Sequence, residues 1–176
     1  MIYYKIVTEK AESSELCYKG IARTDDYKPD IRNPHAYELW CQYVSPMGWI
    51  TNELSMDELL ELRQLMTEES KKQHEIIVFS EKKNIPNNFT YYGIDVASLG
   101  GYSVLGEGLF NNSISQSSII DILNSHFKGL LNEYGLFRKT ENAESFKSVL
   151  LEMNKISPGC IEDEDWKILY VYCVST

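Results

Sequence analysis

The sequence lacks the short motifs that mark metal, cofactor and catalytic sites. Its four cysteines form no CxxC pair, and none lies at zinc-ligand spacing from the histidines, which are His35, His74 and His126. It contains no HExxH motif, no GxSxG nucleophile elbow and no DxDxDG calcium loop. We therefore expect no catalytic residue, no metal and no cofactor. We expect His74 to be solvated after a helix, and His126 to lie mid-helix beside the core.

The glycine-rich stretch from Gly101 to Gly108 has the glycine spacing of a phosphate-binding loop but lacks its lysine. Such a loop needs Lys after its second glycine, followed by Ser or Thr for magnesium. Glu107 and Gly108 stand in those places, and a carboxylate repels phosphate. The glycines are better explained by tight turns or close backbone approach.

Long apolar runs and basic residues are both scarce. No run approaches the roughly 20 residues that span a bilayer. Lys and Arg number 17 against 26 Asp and Glu, which gives a net charge of −9 and disfavours nucleic acid and anionic membranes as partners. Met1 leads directly into a strand-like segment without a signal peptide, so we expect a cytoplasmic protein with reduced cysteines.

Acidic residues are abundant and include one compact run just before the last predicted strand. Four adjacent carboxylates stay hydrated, so this run belongs on the surface. It is either a solvated loop or an electrostatic contact for a basic protein, since opposite potentials steer association. The predicted partner-binding residues are Glu162, Asp163, Glu164, Asp165, Glu107, Glu68 and Glu69.

The hydrophobic pattern predicts strands at both ends of the chain and helices between them. Strands are predicted at 2–7, 37–44, 75–79, 89–96 and 166–174, with 49–51 pairing back after a turn. Helices are predicted from Ser55, where Glu58 completes a capping box, from Ser117 or Ser118 to Tyr134, and over 141–155. Gly135 is placed to end the second helix in a left-handed conformation.

This order of elements predicts an α+β fold. Strands do not alternate regularly with helices, which disfavours a doubly wound parallel sheet. We expect one domain over residues 1–176, with a mostly antiparallel sheet and about three helices packed against it. The length suits one domain, and no linker or internal repeat divides the chain.

One segment resembles a known family. The stretch 91–98, continuing over 101–105, is similar to a strand and loop of bacterial immunity proteins from polymorphic-toxin and contact-dependent inhibition systems. In that family the strand reads G-(Y/F)-D-V-(A/S)-D. Here Gly93-Ile94-Asp95-Val96-Ala97 fits with Ile94 in the aromatic place, Ser98 replaces the second acid, and Gly106 departs from the usual end. We interpret Asp95 as a structural turn or strand-end group.

The resemblance implies a protein that neutralises a cognate toxin domain by protein–protein contact. A basic toxin, such as a nuclease, would suit an acidic inhibitor, because carboxylates can occupy a surface that binds phosphates. An alternative hypothesis is a small-molecule-binding domain or an enzyme whose site the sequence does not reveal. A third is an adaptor without inhibitory action. Oligomeric state stays open.

Overall fold

The computed structural model describes residues 2–8, 29–44, 54–85, 89–97, 125–156 and 165–174. In chain order, its strands and longer helices are β1 Ile2–Thr8, α1 Pro34–Val44, α2 Met56–Ser70, β2 His74–Ser80, β3 Phe89–Ala97, α3 Thr140–Ile156 and β4 Lys167–Val174. The predictions for the 49–51 strand and for the glycine-rich stretch fall outside these ranges.

The four strands form one antiparallel sheet in the order β1-β2-β4-β3. β1 pairs with β2, with Tyr3 opposite Phe79, and β4 pairs with both β2 and β3. The predicted α+β fold is therefore confirmed. Because the two terminal strands β1 and β4 flank β2, residues far apart in sequence build the centre of the sheet.

Alternate residues of β1 and β2 enter two different hydrophobic clusters, because successive side chains of a strand point to opposite faces. Cluster 1 includes Val7 and Ile77 and receives the buried residues of α3. Cluster 2 includes Ile6 and Ile76 and receives the buried residues of α1 and α2. The sheet is thus packed on both faces at β1 and β2.

The segment predicted as a strand over 37–44 is helix α1, so that prediction was wrong. Ala36, Leu39 and Tyr43 are buried at helical spacing. Asn33 accepts a hydrogen bond from the Ala36 amide through Oδ1 at 3.3 Å, and Pro34 opens the helix, where its missing N–H costs nothing. The strand-forming residue types in this segment were outweighed by burial against the sheet.

The second predicted helix does not extend to Tyr134. Within the described residues, helix ends at Phe127 and a 3₁₀ turn follows over Lys128–Leu130. Leu131 then enters a β-bridge with Phe137. Gly135 has the predicted left-handed φ of 73°, but it lies in the turn between these bridge residues. Tyr134, which was predicted on the apolar face of this helix, instead stacks on Tyr92 of β3 with ring centroids 4.3 Å apart.

Local signals predicted the remaining elements correctly. Helix α2 begins after Ser55 with the predicted capping box, and α3 covers the predicted 141–155 segment. Strands β1, β2, β3 and β4 agree with their predicted ranges to within a residue or two.

Candidate functional site

Helix α2 presents an acidic surface because its capping and its apolar stripe fix which side faces the sheet. Ser55 Oγ accepts from the Glu58 amide at 3.3 Å, and the Ser55 amide donates to Glu58 Oε2 at 2.7 Å. Leu59, Leu62 and Met66 are buried in cluster 2. The side of the helix opposite these residues therefore faces outward.

The outward side carries what we call the acidic α2 surface, composed of Asp57, Glu61, Glu68 and Glu69. All four residues are exposed. Gln64 lies among them and donates through Nε2 to Glu68 Oε1 at 2.9 Å. Arg63 is the one basic residue between Met56 and Ser70, and its Nη1 is buried. This surface can attract a cationic partner.

The acidic α2 surface includes two of the predicted partner-binding residues and two that were missed. Glu68 and Glu69 were predicted and are exposed. Asp57 and Glu61 were not, although their spacing of four residues places them on one side of a helix. Applying the helical period to the acids, as well as to the apolar residues, would have found them.

Helix α1 contacts this surface through a histidine. His35 Nε2 lies 2.9 Å from Glu61 Oε1, with exposed side-chain fractions of 62% and 50%. An exposed pair of this kind contributes little to stability. A cationic side chain of a partner can therefore displace the His35 ring from Glu61 at little cost in stability.

Asp165 lies at the other end of β2 from Glu68 and Glu69. Those two glutamates come just before β2 begins at His74. Asp165 comes two residues before Lys167, and the Lys167 Nζ lies 3.2 Å from Oε1 of Glu81, which directly follows the last residue of β2. The structure does not bring these predicted residues together. Glu162, Asp163, Glu164 and Glu107 lie outside the described residues.

The surroundings of Asp165 are partly neutralised. The Lys167 ammonium holds the pKa of the Glu81 carboxyl below its usual range. Tyr3 donates to the same Glu81 Oε1 at 3.2 Å, and burial, followed by this bond, raises the pKa of Tyr3. One cation is thus paired with Glu81 close to Asp165, whereas the contact described above at the acidic α2 surface is that of His35 with Glu61.

Cys173 lies in a mixed polar group with Arg63, Glu75 and Tyr92, and is the candidate nucleophile of this group. Cys173 Sγ lies 3.9 Å from Glu75 Oε2. Burial raises the pKa of the thiol, although a hydrogen bond from Tyr92 opposes this, and burial also raises the pKa of Tyr92. A thiol is nucleophilic as the thiolate, so this environment does not activate Cys173.

The three histidines have separate surroundings. His35 contacts Glu61, and His126 is exposed with Nδ1 3.1 Å from Ser125 Oγ. His74 is fully buried, so its predicted solvation was wrong. Its Nδ1 lies 2.9 Å from the Lys72 carbonyl oxygen, because the strand that starts at His74 turns the ring under the end of α2. Among the described residues, no group of three potential metal ligands comes together.

The segment that carries the family resemblance forms the centre of β3. Gly93 lies at a β-bulge with φ of 149°, and Ile94 pairs with Phe137 through bonds of 3.0 and 2.9 Å. Asp95 is completely buried inside the strand, opposite Leu169. This burial is consistent with a structural role for Asp95. Residues 98–105 of the resemblance lie outside the described ranges.

Comparison with known proteins found no matching protein family, no similar curated protein and no similar solved structure. Within the described ranges, no helix is both long enough and apolar enough to cross a membrane.

Proposed function

We propose that this protein is a bacterial immunity-type inhibitor that binds a cognate toxin domain with a basic surface, such as a nuclease. The acidic α2 surface is the observation that supports this proposal best. It puts four exposed carboxylates on one rigid helix, in a chain of net charge −9. In this proposal the protein acts in the cytoplasm by contact alone, without catalysis or a cofactor.

The physical reason is competition for a phosphate-binding surface. A nuclease binds its substrate largely through Lys and Arg contacts to phosphates. Carboxylates held on a helix can occupy the same cations, and complementary potentials also raise the association rate. In the resulting complex, a lysine or arginine of the toxin replaces His35 at Glu61.

The test looks for a toxin gene directly upstream of this gene and co-expresses the C-terminal domain of that toxin with this protein. We expect rescue of growth and a complex that co-purifies. In the charge-reversal variant Asp57→Lys, Glu61→Lys, Glu68→Lys and Glu69→Lys, the association rate at low salt should fall by about tenfold or more, and its salt dependence should flatten.

The matched control reverses four exposed acids elsewhere, with the same change in net charge. These are Glu133, Glu141, Glu144 and Glu152. In a third variant the four acids of the 162–165 run are replaced by lysine, which tests the other predicted surface. Equal slowing in all three variants would show that net charge alone matters, whereas failure of the unmodified protein to bind or to rescue would refute the proposed function.

A further inference from the structure

The turn just before α1 presents one large apolar side chain to solvent. Ile31 is 72% exposed and lies in a turn that the Asn33 amide closes by donating to the Asp30 carbonyl oxygen at 2.8 Å. Common turns favour proline at this second position. An isoleucine there, left in water, buries little of its apolar surface. The folding of the turn therefore gives no reason for an isoleucine.

Short-range contacts hold this turn in one conformation. Asp30 Oδ1 accepts from the Arg32 amide at 2.9 Å, and the Arg32 guanidinium forms an ion pair with the same carboxylate. On one side of the turn Pro29 is buried, and on the other Asn33 accepts the Ala36 amide at the start of α1. Ile31 is thus held on an ordered turn before any partner binds, which lowers the entropy cost of using it as a contact.

Ile31 lies near the acidic α2 surface. It precedes His35 by four residues, which span at most about 14 Å of chain, and His35 Nε2 lies 2.9 Å from Glu61 Oε1. Because Arg32 pairs with Asp30, the turn adds no net charge, and its contribution to a contact is apolar. An apolar residue beside a charged surface matches the anatomy of protein interfaces, in which polar groups surround an apolar centre.

The other large apolar residues that are exposed in the described ranges belong to different elements. Tyr91 lies on β3, and Leu151 and Ile156 lie on α3, whose buried residues enter cluster 1. Ile31 instead directly precedes α1, which packs with α2 on cluster 2. Its place in the fold therefore associates it with the acidic α2 surface.

We infer that Ile31 is an apolar anchor for the toxin domain that binds the acidic α2 surface, and that it inserts into an apolar pocket beside the basic surface of that domain. The inference rests on the proposed function, which supplies this partner. Complementary charges speed the encounter of two proteins, whereas contacts made at short range mainly slow their dissociation. Ile31 and the acidic α2 surface should therefore act on different rate constants.

The test compares Ile31→Ala with Ile156→Ala in binding to the toxin domain. Ile156 is 80% exposed at the end of α3, so both changes remove the same atoms from an exposed isoleucine. We expect Ile31→Ala to raise the dissociation rate constant about tenfold, with the association rate constant and its salt dependence unchanged. Ile156→Ala should change neither rate constant.

Urea unfolding of the free protein separates a contact residue from a residue that the fold needs. Ile31→Ala should unfold at the same urea concentration as the unmodified chain, and a clearly lower midpoint would count against the inference. A dissociation rate constant that is unchanged in Ile31→Ala, or equally raised in Ile156→Ala, would overturn the inference alone. Absence of a complex with the unmodified chain would overturn the proposed function and this inference with it.

Discussion

The two edges of the sheet are covered in different ways. At β3, a chain segment lies along the strand, with Ile94 and Phe137 exchanging backbone hydrogen bonds. At β1, the Tyr43 hydroxyl contacts the backbone of one residue, Ile6. The β3 edge is closed by backbone and close packing, which makes it intolerant of added atoms. Within the described residues, the contact at the β1 edge is made by one side chain from α1 and depends on a single oxygen.

The segment that lies along β3 is held there by the side chain of Asn132 as well as by backbone hydrogen bonds. Asn132 Nδ2 donates to the Tyr92 carbonyl oxygen at 2.6 Å, while Oδ1 accepts from the amides of Tyr134 and Leu136 at 2.9 and 3.1 Å. One side chain thus shapes the turn and fastens it to β3. Stacking of Tyr92 on Tyr134, with ring centroids 4.3 Å apart, adds to the same contact.

The largest effect is expected from Gly93→Ala. A Cβ there would lie 2.6 Å from Leu136 Cβ, and the φ of 149° is one that residues with a side chain rarely adopt. Strain and overpacking together should lower the free energy of unfolding by about 3 kcal/mol or more, measured in urea. The control is Gly129→Ala, where an added Cβ meets nothing within 4 Å. Equal stability of the two variants would show that the β3 edge can relax.

Asn132→Ala should rank second. It removes three hydrogen bonds and leaves polar backbone groups of Tyr92 and the turn without that partner. We expect a loss of about 2 to 3 kcal/mol and faster exchange of the Phe137 amide. Asn142→Ala on α3 serves as the comparison. A loss below that of Asn142→Ala would mean that the turn forms without its asparagine.

Tyr43→Phe should cost less in stability than either change at β3. The ring still fills its place in cluster 2, and one hydroxyl is lost, whereas Asn132→Ala removes three hydrogen bonds. We expect a loss of about 1 kcal/mol in dilute protein, measured by urea unfolding beside Tyr3→Phe. A loss as large as that of Asn132→Ala would remove the distinction between the two edges.

The smallest effect is a pH dependence at the Glu81–Lys167 contact, where β1 meets β4 through Tyr3. Because the folded pKa of Glu81 is lowered, its stabilising contribution is present above about pH 4.3, the usual carboxyl value, and is lost as pH falls through the folded pKa. Lys167→Met should therefore differ from the unmodified protein at neutral pH and converge with it in acid. Lys155→Met is the matched control, and parallel pH profiles for the two variants would contradict the assignment.

Some of this architecture could be predicted because its signals are local. The Ser55–Glu58 capping box and the buried run of β2 each lie within a few residues. Two of the four residues of the acidic α2 surface, Glu68 and Glu69, were predicted from the sequence. Helix α1 was missed because its aromatic and β-branched residues favour a strand, and only burial of Leu39 and Tyr43 against the sheet selects the helix.

By itself, the sequence determined the net charge, the helix boundaries set by capping and the strands marked by short apolar runs, because each depends on neighbours along the chain. The tertiary structure alone decided that Tyr43 reaches Ile6 and that Leu136 crowds Gly93. Those contacts join residues about 40 positions apart, and their energies depend on distances that no local pattern encodes.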